Sequence, residues 1–455
     1  MMSICTTICM TIIKFFATIL ATILAKKGVN IAFGKIANFI KNFINNDFDA
    51  TLKDAKFKEF KQEVLENYYG KDSFTEVKGK TFPTFCFKSA KKEYAGNDIR
   101  KYDCLSNPNE LNAKFDKREH QNYRQRYYLL YSQIMKQKVV AGNRPGFMLD
   151  RLECDENGNV VSFQTHVGTY AENIYTSHVL EYELYRAYKK FGKDFNWKKI
   201  RKFMKTRNEI HRSIMPYREL KTPEETKEFL KSGAGRHSLL SVQMLVLMKE
   251  NVKNENGEII KKRYKILLIQ RSETVAIAPG YYQFVPSGGF EVFCDCPQGY
   301  SAEGIRDNLS AGCAVFREYM EEILGEKEFE GEGRGHVNEI LMNNPRIAEI
   351  NKMLADGTAQ FEFLGSVVDL TVLRHELSFA LVIDDPAYVK KMFPGNTEAA
   401  GYQFVNDVYL DNFEKKENIW NNLHWSSAAM WKLFTESDLY KKLKPNSDRN
   451  ESSQK

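Results

Sequence analysis

The apolar positions of the first 46 residues follow a helical period. Residues 3–25 contain Lys14 as their only charge, and apolar side chains recur every three or four residues from Ile12 to Leu24. This spacing predicts a helix with one apolar stripe. The pattern fits a membrane span, a helix lying on a bilayer surface, or a helix packed against protein. A secretory signal fits least, because no basic residue precedes the stretch.

Residues 47–230 mix strand and helix periods. Two strand-like runs at residues 147–154 and 160–167 flank the turn-forming sequence Asp-Glu-Asn-Gly-Asn at 155–159. This arrangement predicts a β-hairpin. The helical patterns that follow it cover residues 172–191 and 197–206.

Residues 221–235 are rich in Pro, Glu, Lys, Ser and Gly, a composition that predicts a linker. Strand patterns return from residue 237, where residues 238–249 and 263–270 flank the hairpin dipeptide Asn256-Gly257. Further strands are predicted at residues 361–370 and 377–383. Helices are predicted at residues 310–324, from an N-cap at Ser310 to a stop at Gly325, and at residues 426–434.

These patterns predict an α/β (α+β) fold in four parts. Residues 1–46 form a short hydrophobic helix segment, and residues 47–230 form an α+β domain. Residues 231–440 form a second domain of strands and helices. Residues 441–455 form a disordered tail.

The composition is that of a folded protein that carries little net charge for its length. The chain has 455 residues, of which 43% are hydrophobic and 27% charged, with a formal net charge of +7. Its eight cysteines are too sparse for a disulfide scaffold, so they indicate a reducing compartment. We therefore expect a cytoplasmic protein, with attachment to a membrane surface through residues 3–25 as the alternative.

Three other sequence features could indicate a binding site, but each more often has a structural role. Residues 117–138 interleave basic and aromatic side chains, as a nucleic-acid surface can, but this composition is more often a solvated helix. Cys294 and Cys296 resemble half a zinc site, yet no second pair with zinc spacing lies near them. The histidines form no triad, and His375 is the only one beside a site residue. We expect neither nucleic acid nor zinc.

The helix predicted at residues 310–324 has one acidic face. Glu318, Glu321 and Glu322 are spaced three and four residues apart, so their carboxylates share one side of the helix. Like charges placed in this way repel each other, and a divalent cation would relieve the repulsion. Because oxygen ligands select hard ions, the expected ion is Mg²⁺ or Mn²⁺. The alternative is a solvated acidic helix.

A strand, a loop, the Gly288-Gly289 turn and an Arg-Glu-x-x-Glu-Glu helix at 317–322 follow one another here. Over residues 237–435 this order resembles the Nudix hydrolases, and it implies a Nudix-type mixed sheet sandwiched by helices. It also resembles a divergent group of bacterial Nudix-like proteins, in which the domain is fused behind another region. That group's later acidic positions match Asp369 and Glu376.

The chain departs from the family pattern in three ways. Arg317 follows Gly289 at a longer distance, so extra residues intervene. Leu309 stands where the family has its middle glutamate, so that acid is absent or is replaced by Glu291 or Glu303. The family pattern ends with a glycine two residues after its last glutamate, whereas here Gly325 follows Glu322 by three residues.

The resemblance implies a Mg²⁺-dependent hydrolase that cleaves a nucleoside diphosphate linked to another group. Glu318, Glu321 and Glu322 would hold the Mg²⁺ or Mn²⁺ ions. Arg317 would pair with a carboxylate and orient the helix, a structural role.

Other residues would contact the substrate or move a proton. Gly288 or Gly289 would offer a backbone carbonyl, and Arg271 would meet a phosphate. Glu376 or Glu291 would act as the general base.

A second hypothesis is a regulatory module that has the same fold and senses a nucleotide-like small molecule but does not hydrolyse it. The missing glutamate favours the sensor, whereas the complete glutamate cluster favours the hydrolase. A third hypothesis is a membrane-tethered interaction protein that uses the domain as a scaffold. Because relatives often dimerise, the resemblance is also compatible with a homodimer.

Overall fold

The computed structural model describes most of the chain between residues 47 and 443. The described residues are 47–90 without 49 and 53, 145–207, 222–271 without 234 and 235, 280–293, 305, 308–326, 337–392 and 403–443. Five sequence-based expectations lie outside them: those for residues 3–25, residues 117–138, the Cys294–Cys296 pair, Glu303 and the tail beyond residue 443.

The described residues form a mixed α/β fold. The strands are β1 Thr75–Val77, β2 Lys80–Phe82, β3 Thr84–Lys88, β4 Pro145–Cys154, β5 Val160–Thr169, β6 Ser241–Lys253, β7 Ile259–Ile266, β8 Leu268–Gln270, β9 Tyr282–Phe284, β10 Ser287–Gly289, β11 Ala359–Asp369, β12 Arg374–Ile383 and β13 Gln403–Phe404.

Helices lie between these strands and at both ends of the described chain. The α-helices are α1 Ala55–Tyr69, α2 Tyr170–Asn173, α3 Val179–Phe191, α4 Trp197–Arg207, α5 Pro223–Leu230, α6 Ala311–Glu322, α7 Val337–Asn343, α8 Pro345–Asp356, α9 Pro386–Met392, α10 Glu417–Asn421, α11 Trp425–Thr435 and α12 Asp438–Leu443. Within the described part of the chain, none of them is both long and apolar enough to cross a bilayer.

A six-stranded mixed sheet organises the fold. Its order is β10-β6-β12-β11-β3, with β7 added beside the second half of β6. Strands β6 and β12 run parallel, and the other pairs are antiparallel. The first eight residues of β6, 241–248, are buried, as expected for a strand segment that is covered on both faces.

Two hydrophobic clusters cover the two faces of this sheet. Met244 and Val246 point into the larger cluster, which includes α6, α8 and the helices of the N-terminal region. Leu245 and Leu247 point into the smaller cluster, which is built around Trp431 of α11. The alternation follows from the two-residue period of a strand.

The regions predicted as two domains, residues 47–230 and 231–440, share this sheet and the larger cluster. Strand β3 pairs with β11 over Gly365–Asp369. At Gly365, where β11 has a register shift, φ is +139°, and an added Cβ would overlap the carbonyl oxygen of Phe87. Glycine is therefore required for β3 to approach β11.

Several predicted elements of the N-terminal region are confirmed. The hairpin is present as β4 and β5, and the second helix as α4. The helix predicted at residues 172–191 is interrupted, because a π-helical turn at Ile174–His178 separates α2 from α3.

The predicted linker at residues 221–235 is wrong over α5. Thr222 accepts a hydrogen bond from the backbone N–H of Glu225, and Pro223 occupies the first helical turn. Leu230 is fully buried. The Thr-Pro-Glu-Glu sequence is therefore a helix start, and its polar composition concealed it. The predicted tail at residues 441–455 is wrong at its start, because α12 continues to Leu443.

In the C-terminal half, α6 begins at the predicted N-cap, where the Ser310 hydroxyl accepts from the N–H of Cys313. The strands β11 and β12 and the helix α11 are also confirmed. The strand predicted at residues 263–270 is divided. Because the first residues of β6 pair with β10, the chain leaves β6 after Ile266, and β8 pairs with β9 and β13.

Gly365→Ala is expected to lower the free energy of unfolding by about 3 kcal/mol, since it combines a steric clash with a backbone conformation that favours glycine. Urea unfolding measures this loss. Gly79→Ala is the matched control, because its φ is +70° and its added Cβ meets no atom within 4 Å. We expect that variant to lose about 1 kcal/mol. Equal losses would show that the approach of β3 to β11 is not critical.

Candidate functional site

The Gly-Gly strand and the acidic helix lie against each other. Strand β10 pairs with the first residues of β6, and α6 packs over it. A Cβ added at Gly288 would overlap the carboxylate of Glu318. The Glu318 carboxylate therefore rests on the bare Cα of Gly288, and this contact requires glycine.

The three glutamates of α6 share one half-buried face beside β10. The carboxylate of Glu322 accepts a hydrogen bond from the backbone N–H of Ser287 at 2.8 Å. Burial raises the pKa of Glu322 to about 7, although this N–H and the charge of Arg271 oppose the shift. Burial also raises the pKa of Glu318 well above its usual range, and repulsion from Glu322 and Glu321 adds to the rise. Their proximity disfavours three simultaneous negative charges.

Arg317 joins α6 to the chain that follows β10. Its buried guanidinium donates to the backbone carbonyl of Glu291 at 3.2 Å and lies 4.3 Å from the centre of the Phe293 ring. Burial lowers the pKa of Arg317, and the negative charges of Glu318, Glu321 and Glu291 oppose this shift. Its pairing with one of these carboxylates stays a prediction. The contacts still connect the helix to the loop.

A cavity of about 210 Å³ opens beside β10. Five residues that the sequence singled out contribute to its wall: Arg271, Gly288, Gly289, Glu291 and Glu376. Its wall also contains charged and aromatic residues that the sequence did not assign to a site: Tyr170, His178, Arg374, His424 and Trp425. Asp369 also lines the cavity. The sequence had indicated this residue only through the resemblance to the bacterial Nudix-like group.

The register of the sheet explains why distant residues meet in this cavity. Gly289 is opposite Ser241, and Ser241 is opposite Glu376. Residues in one such row point to the same face of a sheet. Arg374 lies two residues before Glu376, so it reaches the same face, where the two side chains form an ion pair at 3.5 Å.

His375 points to the opposite face because it is adjacent to Glu376 on the strand. Its ring is fully buried and lies within hydrogen-bonding distance of the Ser366 hydroxyl (3.1 Å) and the Leu230 carbonyl (3.0 Å). Burial lowers its pKa to about 3. The histidine nearest the predicted site is thus structural, whereas His178 and His424 line the cavity.

Arg271 lies between two groups of carboxylates. Its guanidinium donates to the side-chain oxygen of Gln283. Its charge lowers the pKa of Glu322 on the helix side and of Glu376 on the cavity side. Burial nevertheless keeps the pKa of Glu376 above its usual range. A ligand that contacts both groups of carboxylates would lie beside Arg271.

Among the residues that the structure describes, no group of three or more His, Cys, Asp or Glu side chains is positioned to hold an ion. The α6 carboxylates are close enough to raise each other's pKa, but one is held by Ser287 and another rests on Gly288.

Sequence signals existed for only part of the cavity. Arg374 could have been found from its spacing, because it lies two residues before Glu376, although the strand was predicted to begin only at residue 377 and in fact begins at Arg374. No such signal existed for Trp425, Tyr170 or His178, because each lies on a different element, far from Glu376 in the sequence.

Comparison with known proteins adds no assignment. No family model matches this chain, and no curated protein sequence matches it significantly.

Gly288→Ala is expected to lower the free energy of unfolding by about 2 kcal/mol, because the new methyl group displaces the Glu318 carboxylate. Adding Glu318→Ala to the same chain should recover most of this loss, since it removes the clashing group. Urea unfolding of the two single variants and the double variant measures the coupling.

Gly289→Ala provides the matched control. Its added Cβ would lie 3.3 Å from the Leu239 side chain and 3.4 Å from that of Glu291, both of which can move. It should lose less stability and show no coupling to Glu318→Ala. Additive effects of Gly288→Ala and Glu318→Ala would refute the contact.

Proposed function

We propose that this chain is a Mg²⁺-dependent hydrolase of a nucleoside diphosphate linked to another group, with a Nudix-type fold over residues 231–440. The observation that carries the proposal is the packing of α6 against the Gly-Gly strand, where the Glu318 carboxylate lies against Gly288 and Glu322 accepts from Ser287, beside a cavity that Arg271 lines. This combination would supply metal ligands close to a phosphate-binding side chain.

Glu318, Glu321 and Glu322 are the residues that would hold Mg²⁺ or Mn²⁺. Their donor atoms are all oxygens, which suits a hard cation. Burial and mutual repulsion raise the pKa of Glu318 and Glu322, so a divalent ion would relieve the same repulsion that now favours a proton. When bound, Mg²⁺ would neutralise charge on the diphosphate and lower the pKa of a coordinated water.

Arg271 would bind the diphosphate between the helix and the cavity, and Gly288 and Gly289 line the same cavity. Glu376 is the preferred general base, because burial brings its pKa closer to neutral than that of an exposed glutamate. Glu291 also lines the cavity and is the alternative base. Either carboxylate would take a proton from the attacking water.

The alternative is a sensor that binds a nucleotide-like molecule without turnover. One observation favours it: the carboxylate of Glu322 already accepts a hydrogen bond from the Ser287 N–H and so has a partner within the fold. A site of this kind would bind a ligand in the cavity but would activate water poorly.

Mg²⁺-dependent release of mononucleotide from a panel of nucleoside diphosphate compounds tests the hydrolase. Glu321→Gln combined with Glu322→Gln is expected to lower kcat/KM at least about a hundred-fold, because it removes two metal ligands. Glu339→Gln is the control, since Glu339 is an exposed glutamate on α7. It should leave turnover unchanged.

The outcomes separate the two functions. Turnover that persists in the double variant would refute the assigned metal ligands. Absence of turnover in every protein, together with a rise in melting temperature with one nucleotide, would support the sensor. Absence of both responses would contradict both functions for that panel.

A further inference from the structure

Helix α1, from the N-terminal region, reaches the wall of the cavity. Its Lys61 side chain is only 12% exposed, and the ammonium lies 2.8 Å from a carboxylate oxygen of Glu181 on α3. The same ammonium lies 5.4 Å from the centre of the Trp425 ring, which lines the cavity. A buried lysine is thereby paired on one side and faces the candidate site on the other.

Trp425 connects this lysine to a cavity carboxylate. The indole N–H donates to one oxygen of Asp369 at 2.9 Å, and the backbone N–H of Thr371 donates to the other oxygen at 2.7 Å. Asp369 is 7% exposed and lines the cavity. Each oxygen still has a free lone pair, because an ionised carboxylate can accept about four hydrogen bonds. Asp369 can therefore accept a bond from a ligand.

The charges around Asp369 make Lys61 its principal stabilising cation. Lys61 on α1 favours the ionised carboxylate, whereas Glu181 on α3 and burial disfavour it. Asp369 also interacts electrostatically with Glu376 on β12 and Tyr69 on α1. Without Lys61, Asp369 would face two carboxylates at the edge of a buried cavity.

We propose that Lys61 is a positioning residue of the cavity, which keeps Asp369 ionised and oriented so that it reads a hydrogen-bond donor of the ligand. The N-terminal region is then part of the binding site and not a separate module. The nature of the ligand rests on the function proposed above, but the link between Lys61 and Asp369 does not.

The intrinsic fluorescence of Trp425 reports on this link, because its indole donates to Asp369. The signal is the emission of the full chain minus that of the same chain with Trp425→Phe, followed from pH 3 to pH 9. Protonation of Asp369 should produce a transition in this difference signal.

Lys61→Met is expected to move the midpoint upward by about one pH unit, because loss of the cation raises the pKa of Asp369. Lys61→Arg, which retains the charge, should return the midpoint to the wild-type value. Lys56→Met is the matched control, because Lys56 is exposed on the same helix. It should leave the midpoint unchanged.

Glu181→Gln tests the same link with the opposite sign. Removing this carboxylate also removes a charge that opposes ionisation of Asp369, so the midpoint should move downward. If Lys61→Met does not fold, Lys61→Gln takes its place, because it also removes the cation, and its midpoint should move upward. Midpoints that stay at the wild-type value in the variants that fold would overturn the proposal.

Activity distinguishes this proposal from the proposed function. If the chain hydrolyses a diphosphate, the acidic limb of its kcat/KM profile should move to higher pH in Lys61→Met and recover in Lys61→Arg. If Lys61→Met has a lower melting temperature but an unchanged acidic limb, the role of Lys61 is purely structural and the proposal is overturned. If the fluorescence midpoint moves upward in Lys61→Met and downward in Glu181→Gln while no protein shows turnover, the role of Lys61 is supported and only the hydrolase is rejected.

Discussion

The contact between the Glu318 carboxylate and the bare Cα of Gly288 determines where the acidic face of α6 lies. A helix can approach a strand this closely only where the strand lacks a side chain. Because β10 is itself held by the first residues of β6, the contact places Glu318 and Glu322 at the edge of the central sheet. Ser287, Gly288 and Gly289 of the same short strand line the cavity.

Burial sets the electrostatics of this region. Carboxylates removed from water favour the protonated form, and those of α6 and of the cavity wall both show raised pKa values. Arg271 lies between the two groups and opposes the shift in both. Cations therefore have a structural role here before any ligand binds, and a bound phosphate or metal ion would redistribute charge across the whole site.

The N-terminal region is integrated with the rest of the fold at two separate places. Strand β3 extends the central sheet beside Gly365, and α1 reaches the cavity with Lys61. The two contacts are made by different elements, and each depends on a close packing arrangement. The cavity wall combines Tyr170 and His178 from the N-terminal region with charged residues from the C-terminal region, so both regions contribute to it.

Local sequence patterns were sufficient for the hairpin β4–β5, the strands β11 and β12 and the capped helix α6, because each has a complete period and its own turn or cap. They also placed three glutamates on one helix face, which depends only on helical geometry. Contacts between distant elements were not accessible in this way. The division of the strand after Ile266, the ion pair of Arg374 and the approach of Lys61 to Trp425 all depend on which strands and helices become neighbours. Short-range periodicity specifies a residue's side of its own element, whereas the register of β6 and β12 and the packing of α1 decide what that side meets.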